Sequence, residues 1–462
     1  MDMKLKQGFV EMLEQVMSGE AEALCRAICE TEPCVSVRVN EAKGACVPAG
    51  VARVPWCRSG FYLDARPAFT FDPLLHAGLY YVQDASSMFV THVIGQLIDR
   101  PVRYLDLCAA PGGKTTAALQ ALPAGSLVVA NEIVPARARA LADNVMRWGS
   151  PHAVVTCNAP SQLGRLVDAF DVVATDVPCS GEGMMRKDTE AVSQWSPVLV
   201  EQCAARQREI LRDIWPALRP GGLLIYSTCT YNRQENEDII EHLIEHYGAT
   251  PVNIDTDTSW GIAPAMGRDL PCYRFMPHRT RGEGLFMAVL RKPAGSVQPL
   301  RIKKKPSSSS PTLPAQVRDW LLCVQDYDLS QHGDEVVANP KAHADLLAAL
   351  RAACSVIYSG VTLCTVKGKN CVPHQSLALS AALERSALPS CSVNYATALA
   401  YLRGEAITVD APRGPVMVTY DNVPLGWVNN LGNRANNLYP KGLRIVSKNN
   451  PDHAPCIVGI GK

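Results

Sequence analysis

Two cysteines stand directly after apolar runs that read as buried strands. FDVVATDVPCSGEG, residues 170–183, delivers Asp176 and then Cys179, and LLIYSTCTYN, residues 223–232, delivers Cys229 at the end of the next run. A buried free cysteine is most often a small core hydrophobe, and either residue alone would be read that way. A pair at consecutive strand ends, in Asp-x-Pro-Cys and Ser-Thr-Cys settings, points instead to a thiolate nucleophile with a carboxyl and a second thiol at hand. The chemistry suited to it is covalent activation of a poor carbon nucleophile. Carbon 5 of a cytosine does not take a methyl group from a sulfonium unaided, whereas addition of a thiolate at carbon 6 turns the ring into an enamine whose carbon 5 attacks. Loss of the carbon 5 proton then expels the thiolate, so a second acid-base or thiol group nearby is useful. Asp176, near the ring nitrogen and amino group, would stabilise charge during the addition, and Lys114 would assist by lowering a thiol pKa.

Such chemistry needs a methyl donor, and YLDLCAAPGGKTT, residues 104–116, is where one would sit. Its Gly-Lys-Thr ending suggests a triphosphate loop, but that motif requires a glycine where Cys108 stands. A dinucleotide fingerprint fails as well, because no Gly-x-Gly-x-x-Gly follows the strand. What remains is a strand, a tight Pro-Gly-Gly turn and a helix, with the stretch Cys108, Ala109, Ala110, Pro111, Gly112, Gly113 and Lys114 at the carboxyl end of the strand. Ligands of doubly wound sheets bind at that end, and glycines allow close approach. The next strand ends at Glu132, placed to accept hydrogen bonds from ribose hydroxyls. Asp106 and Glu132 make this edge acidic, which repels phosphates and suits the cationic sulfonium nucleoside S-adenosylmethionine. Taken by itself, Glu132 reads equally well as a residue capping a strand.

The elements that must position these groups alternate as in an α/β doubly wound domain, that is, a Rossmann-like sheet. Apolar runs at 102–108, 126–132, 152–158, 170–176, 222–229 and 284–292 are separated by helical segments such as PARARALADNVMRWG. Residues 1–70 read as a small N-terminal α+β RNA-binding segment, 71–293 as the Rossmann-like domain and 294–314 as a linker that is basic first and then rich in serine and proline. Beyond it, a separate helical-mixed module over 315–383 opens with the helical pattern VRDWLLCVQDYDL, and a compact β-rich module fills 384–462. With 45 basic and 44 acidic residues in a chain of 462, net charge gives no global sign of a nucleic-acid partner. Seventeen cysteines without a Cys-x-x-Cys pair, and no apolar leader, suit a reducing compartment, so a cytoplasmic location is expected. Cys25, Cys29 and Cys34 fit helix positions better than a metal site, and no metal is expected. No apolar run approaches a membrane span, so no membrane role is expected.

Together these motifs resemble the Sun-domain family of RNA cytosine-5 methyltransferases, also called the nucleolar-protein or Fmu family. DLCAAPGGKT is similar to its cofactor loop, DVPCSGEG to its Asp-Ala-Pro-Cys motif and YSTCTYNRQENE to its Thr-Cys motif; HAGLYYVQDASSM and RGEGLFMAVLRK also look like family elements, and the likeness runs from about Ser36 to Lys292. The resemblance implies that Cys108 to Lys114 surround the methionine and ribose of S-adenosylmethionine and that Glu132 binds the ribose. It further implies that Asp176 lies between cofactor and base, that Cys229 is the nucleophile and that Cys179 assists release of the methylated RNA. Two positions depart from the family. Val177 stands where alanine is commoner, and Asn158 stands where many members place an aspartate near the adenine; its amide oxygen is expected to pair with the adenine amino group.

DNVPLGWVNNLGNRANNLYPKGLRI resembles the C-terminal PUA-like module of RsmF-type bacterial ribosomal-RNA methyltransferases, which would grip RNA through shape and phosphate contacts. Arg434, Lys441, Arg444 and Lys448 supply local positive charge there, and the linker run RIKKK adds more. The implied partner is ribosomal RNA, or the small ribosomal subunit, approached by a monomer; the target base must be unstacked to reach the thiol. The same chemistry on transfer RNA, or an RNA-binding assembly factor without catalysis, are the alternatives. DNA is not an expected partner, since no large target-recognition insert is present, and an amino-methylating enzyme would carry a polar-Pro-Pro-aromatic strand end instead of DVPC.

Overall fold

The computed structural model describes residues 5–17, 19–300, 313–368 and 370–461; the basic run at 301–305 lies outside the described residues. Two amphipathic helices, α1 (Gln7–Val16) and α2 (Ala21–Glu30), open the chain. Their apolar faces, with Phe9, Leu13, Leu24 and Ile28, pack against Met185, Trp195 and Tyr231 of the central domain. Strands β1 (Val35–Val39), β2 (Gly60–Leu63) and β3 (Tyr80–Val82) follow as a three-stranded antiparallel sheet with β1 in the middle. This sheet reaches past the boundary expected near residue 70, because a three-residue strand such as Tyr80–Val82 is too short to show alternation in sequence.

The central sheet carries the site. After α3 (Phe89–Leu97), chain order gives β4 (Arg103–Asp106), α4 (Gly113–Ala121), β5 (Leu127–Asn131), α5 (Pro135–Trp148), β6 (Ala153–Thr156), β7 (Phe170–Asp176), α6 (Pro197–Ile214), β8 (Leu218–Thr228), α7 (Glu237–Tyr247), β9 (Thr250–Pro251), β10 (Cys272–Phe275) and β11 (Leu285–Arg291). The five strands β4 to β8 pair in parallel in the spatial order β8-β7-β4-β5-β6, and β11 closes the β8 edge antiparallel. Direction of travel reverses at β4, so the crevice beyond the carboxyl ends of β4, β5 and β7 is the topological switch point. Both faces are covered: Leu105, Val129 and Val173 lie in one core, and Tyr104, Val128 and Val172 in the core on the opposite face. Each fully buried valine or leucine of this kind stabilises by about 1.5–3 kcal/mol relative to an exposed one.

The segment after the linker is not separate. It forms β12 (Tyr327–His332), β13 (Glu335–Pro340), α8 (Ala344–Ala353), β14 (Val356–Ser359), β15 (Val361–Lys367) and β16 (Asn370–Pro373), and β14 pairs antiparallel with β6, extending the central sheet. Leu346, Leu347 and Leu350 of α8 enter the same core as Leu105. The helix expected over VRDWLLCVQDYDL is also absent: short 3-10 turns at Ala315–Arg318 and Val324–Asp326 flank Cys323, whose φ of 50° interrupts the helical path. Its apolar spacing serves instead to seat Val317, Trp320 and Leu321 on this module's own sheet. The tail contributes β17 (Ser390–Ser392), α9 (Tyr395–Leu402), β18 (Gly414–Tyr420), β19 (Val423–Asn430) and β20 (Ala435–Asn437), a four-stranded sheet. Its Tyr401, Val416 and Val428 share a core with Val37, Phe61 and Tyr80 of the N-terminal sheet. Among the described residues no helix is long and apolar enough to cross a membrane.

Candidate active site

Lys114 begins the first turn of α4 and reaches across the crevice to the end of β7, where its Nζ donates to Asp176 Oδ2 at 2.8 Å. The other oxygen of Asp176 accepts from Ser227 Oγ at 2.9 Å. The carboxylate at the end of β7 is thereby held between α4 and β8, and it remains 36% exposed. Burial works against charge on Lys114, but Asp176 and the neighbouring Cys229 act the other way and its pKa is raised above the ordinary lysine value. The ammonium therefore persists at neutral pH, adjacent to both the carboxylate and the thiol.

Cys179 and Cys229 meet where the sequence reading placed them, with their sulfurs 3.3 Å apart. The hydrogen bond to Cys229, followed by burial, pushes the Cys179 thiol well above its ordinary pKa. Either sulfur can donate in this contact, and Cys229 lies within the electrostatic reach of the Lys114 ammonium. Cys108 is pushed up to about 12 by burial, and its sulfur accepts from Thr175 Oγ1.

The cofactor turn is braced from three sides. Gly112, at φ 112°, turns the chain into α4, and a Cβ there would meet the Leu141 side chain at 3.1 Å. Asn144 Nδ2 and Tyr81 Oη donate to the Pro111 carbonyl, and Arg137 donates to that of Ala110. Arg38 of β1, fully buried, donates to Gln83 Oε1 and Thr116 Oγ1 beneath the turn and stacks over Trp148 with its guanidinium carbon 4.4 Å from the ring centroid. None of these supports was singled out in the sequence, although SVRVN and HAGLYYVQDASSM contain several of them. The open hydrogen-bonding capacity is acidic. Asp106, 2% exposed, accepts from Thr115 Oγ1 and is raised to about 6 by burial. Glu132, 3% exposed, accepts from the Val134 N–H and pairs with Arg137 at 3.4 Å, which leaves lone pairs for a diol. These donor and acceptor sets fit S-adenosylmethionine: carboxylates for ribose hydroxyls and a sulfonium, and no cluster of cations for phosphates.

Asn158 has partners that the sequence did not suggest. Its Oδ1 accepts from the Ser355 N–H at 3.0 Å and its Nδ2 donates to the Ser355 carbonyl at 3.2 Å. The carboxamide thus continues the β6–β14 ladder like a peptide group, and its own N–H goes to Asn131 Oδ1. Both ends of the amide that was expected at the adenine are committed to the chain that follows the linker. The arrangement was invisible in sequence because Ser355 lies far beyond the linker and its edge strand was not recognised.

A second set of groups was also missed. Glu182 and Glu235, each 0% exposed, lie beneath the thiols and accept main-chain N–H groups from the two cysteine loops. The motifs SGEG and YNRQENE contain them, yet a buried carboxylate without a nearby cation carries no sequence signature.

Comparison with known proteins places the chain in a family. Residues 99–291 match the family described as 16S rRNA methyltransferase RsmB/F, residues 5–85 the N-terminal domain of 16S rRNA methyltransferase RsmF, and residues 389–445 the methyltransferase RsmF PUA domain. The chain is 32% identical to ribosomal RNA small subunit methyltransferase F of Klebsiella pneumoniae, covering 90% of this chain and 91% of that one. It is likewise 32% identical to the protein of the same name from Erwinia tasmaniensis, over 84% of each. Among solved structures, a methyltransferase homolog from Pyrococcus horikoshii is 25% identical with a TM-score of 0.53, covering 63% of this chain and 96% of that one. NSun6 of Pyrococcus horikoshii, solved with SFG, shares the fold at 20% identity and a TM-score of 0.53, over 62% of this chain and 98% of that one. The chain belongs to the RsmF family of ribosomal RNA small subunit methyltransferases.

Proposed function

We propose that this protein methylates carbon 5 of a cytosine in small-subunit ribosomal RNA, with Cys229 as nucleophile, Cys179 as the releasing thiol and S-adenosylmethionine as methyl donor. The observation that carries the reading is the pair of thiols 3.3 Å apart beside the Lys114–Asp176 ion pair. The names of the relatives support the RNA class, and the PUA module supports RNA binding. The acidic crevice supports the donor, as does the SFG, an analogue of S-adenosylmethionine, in the NSun6 structure.

Bound S-adenosylmethionine supplies an electrophilic methyl group on a sulfonium. Asp106 and Glu132 orient the donor, and Asp176, held by Lys114 and Ser227, faces the ring nitrogen and amino group of the flipped base. The Cys229 thiolate forms a bond to carbon 6, and the displaced electron pair of the ring takes the methyl at carbon 5. With Cys229 bonded to carbon 6, the contact that chiefly raised the Cys179 thiol is gone; Cys179 releases its proton to solvent and removes the carbon 5 proton, the carbon 5 to carbon 6 double bond re-forms and Cys229 leaves as thiolate. One proton is liberated per methyl transferred, and both thiols return to their starting states.

Bisulfite sequencing of ribosomal and transfer RNA from a deletion strain, complemented with wild type or Cys229→Ala, tests the reading. A 5-methylcytosine should vanish from small-subunit ribosomal RNA and return only with the wild type. Persistence of every such mark, without a redundant enzyme, would sink the proposal, and loss from transfer RNA alone would move the substrate. Cys179→Ala should accumulate a protein–RNA adduct on denaturing gels, with turnover lowered by about 10²–10⁴-fold as for loss of a general base.

A further inference from the structure

Each loop that bears a thiol is gripped by a buried carboxylate from the other loop. Glu235, which follows Cys229, accepts the Ser180 N–H at 3.1 Å; Glu182, which follows Cys179, accepts the N–H groups of Tyr231 and Asn232 at 2.6 and 3.0 Å. Asn232 Nδ2 lies between them and donates to both, at 2.9 Å to Glu182 and 2.8 Å to Glu235. The Gly183 N–H reaches the carbonyl of Cys229 itself at 2.6 Å. Outer partners complete the set: Trp195 Nε1 donates to Glu182 at 2.9 Å and Gln207 Nε2 to Glu235 at 2.8 Å. Amide, indole and hydroxyl donors surround these two carboxyl groups, so both oxygens of each serve as acceptors.

The arrangement is reciprocal, and its geometric product is the distance between the sulfurs. Two loops that end different strands have no covalent reason to hold these two sulfurs 3.3 Å apart. We propose that Glu182 and Glu235 are positioning residues that fix the separation of Cys179 and Cys229, and with it the ability of one thiol to act on a base held by the other. The consequence for turnover rests on the thiol roles proposed above; the spacing does not, and it is tested without RNA.

A glutamine at either position presents an NH2 group to N–H donors whichever way it turns, so Glu235→Gln and Glu182→Gln loosen one loop while preserving its shape. In the purified full-length protein, dibromobimane bridges two thiols by displacing one bromide at each, and mass spectrometry quantifies the peptide pair joined through Cys179 and Cys229. Bridging should slow about tenfold in either variant, the ratio that a donor–donor conflict of this size produces. Alkylation of each thiol singly by iodoacetamide should stay within about twofold, since reactivity of the separate sulfurs is retained. A general structural defect would change both readings together. Should the glutamine variants fail to fold, Asn232→Ala, which removes the cross-brace and leaves each carboxylate its main-chain donors, carries the same test with about a threefold fall. Bridging at the wild-type rate in a folded variant overturns the proposal. If bridging falls but Glu235→Gln accumulates no RNA adduct, the positioning stands and the releasing role of Cys179 is what fails.

Discussion

Asn158→Asp separates two uses of one side chain. An aspartate would still accept from the Ser355 N–H, but its second oxygen would replace Nδ2 and face the Ser355 carbonyl across 3.2 Å. A favourable donor–acceptor contact becomes an acceptor–acceptor one at a position that is 4% exposed. Loss of a buried hydrogen bond with an orphaned partner costs about 1–3 kcal/mol, and a charged group adds to that. In a domain of this size each kcal/mol lowers the melting temperature by about 2–4 °C, so a fall of about 3–10 °C is expected. The loss should shrink as pH is lowered into the carboxyl range, because protonation restores a donor. Thermal melts at several pH values measure this, with calorimetric binding of S-adenosylmethionine alongside. A variant that melts with the wild type and binds the cofactor more tightly would refute the assignment and return Asn158 to the adenine.

Asp106 is raised from 3.8 to about 6 by burial, so the folded state binds its proton more tightly than the unfolded state does. Stability of the cofactor-free protein should therefore decline as pH rises from about 4 to 6, by something on the order of 3 kcal/mol, and Asp106→Asn should flatten that segment of the melting profile; an unchanged profile would rule the residue out as its source. Lys114→Met leaves Asp176 with Ser227 alone and removes the cation beside Cys229. Methyl transfer in a single-turnover assay should drop by about 10²–10³-fold with cofactor binding less affected, and a rate within twofold of wild type would contradict the role given to the ion pair. At Gly426 an added Cβ would fall 2.3 Å from Tyr401 Oη and 2.4 Å from Gln375 Oε1, both buried. Gly426→Ala should destabilise the tail by about 3 kcal/mol, seen as faster amide exchange in β19, and unaltered exchange would show that the contact relaxes freely.

What could be read from sequence was whatever a local pattern determines. Apolar runs ending in Asp106, Glu132, Asp176 and Cys229 located the strand ends to within a few residues, because parallel strands buried on both faces are continuous in hydrophobicity. The missing glycine at Cys108 excluded a phosphate cradle for a reason that is local as well. Partnerships across long separations were not legible. Val356–Ser359 looks like any short apolar stretch, and only the exposed ladder of β6 gives it a place. The spacing of Val317, Trp320 and Leu321 satisfies a helix and a sheet-facing turn equally, and the positive φ at Cys323 decides between them. Asn158 is a related case: its residue type suited a nearby ligand, and nothing in the sequence signals that it also bonds a main-chain group nearly two hundred residues away.

The non-catalytic parts hold the two ends of the crevice by different means. At the thiol end, Phe9 of α1 meets Trp195 edge to face at 5.3 Å, and the same indole donates to Glu182, so the N-terminal helices bear on the loop of Cys179 through this side chain among others. At the cofactor end, Asn131 bonds to the carbonyls of Leu107 and Asn158, and Asn158 bonds to Ser355, so the module after the linker continues the floor on which Glu132 stands. Arg103 of β4 and Asp345 at the start of α8 add an ion pair at 2.6 Å across the same boundary. A surface ion pair of this kind is worth little alone, whereas the apolar face of α8 buried with Leu105 is not dispensable. The outer modules therefore meet the crevice through packed and hydrogen-bonded elements, and the stiffness of these junctions follows from burial. A flexible tether would leave the cofactor edge and the thiol loops indifferent to the tail; shared strands and cores couple their order to its presence.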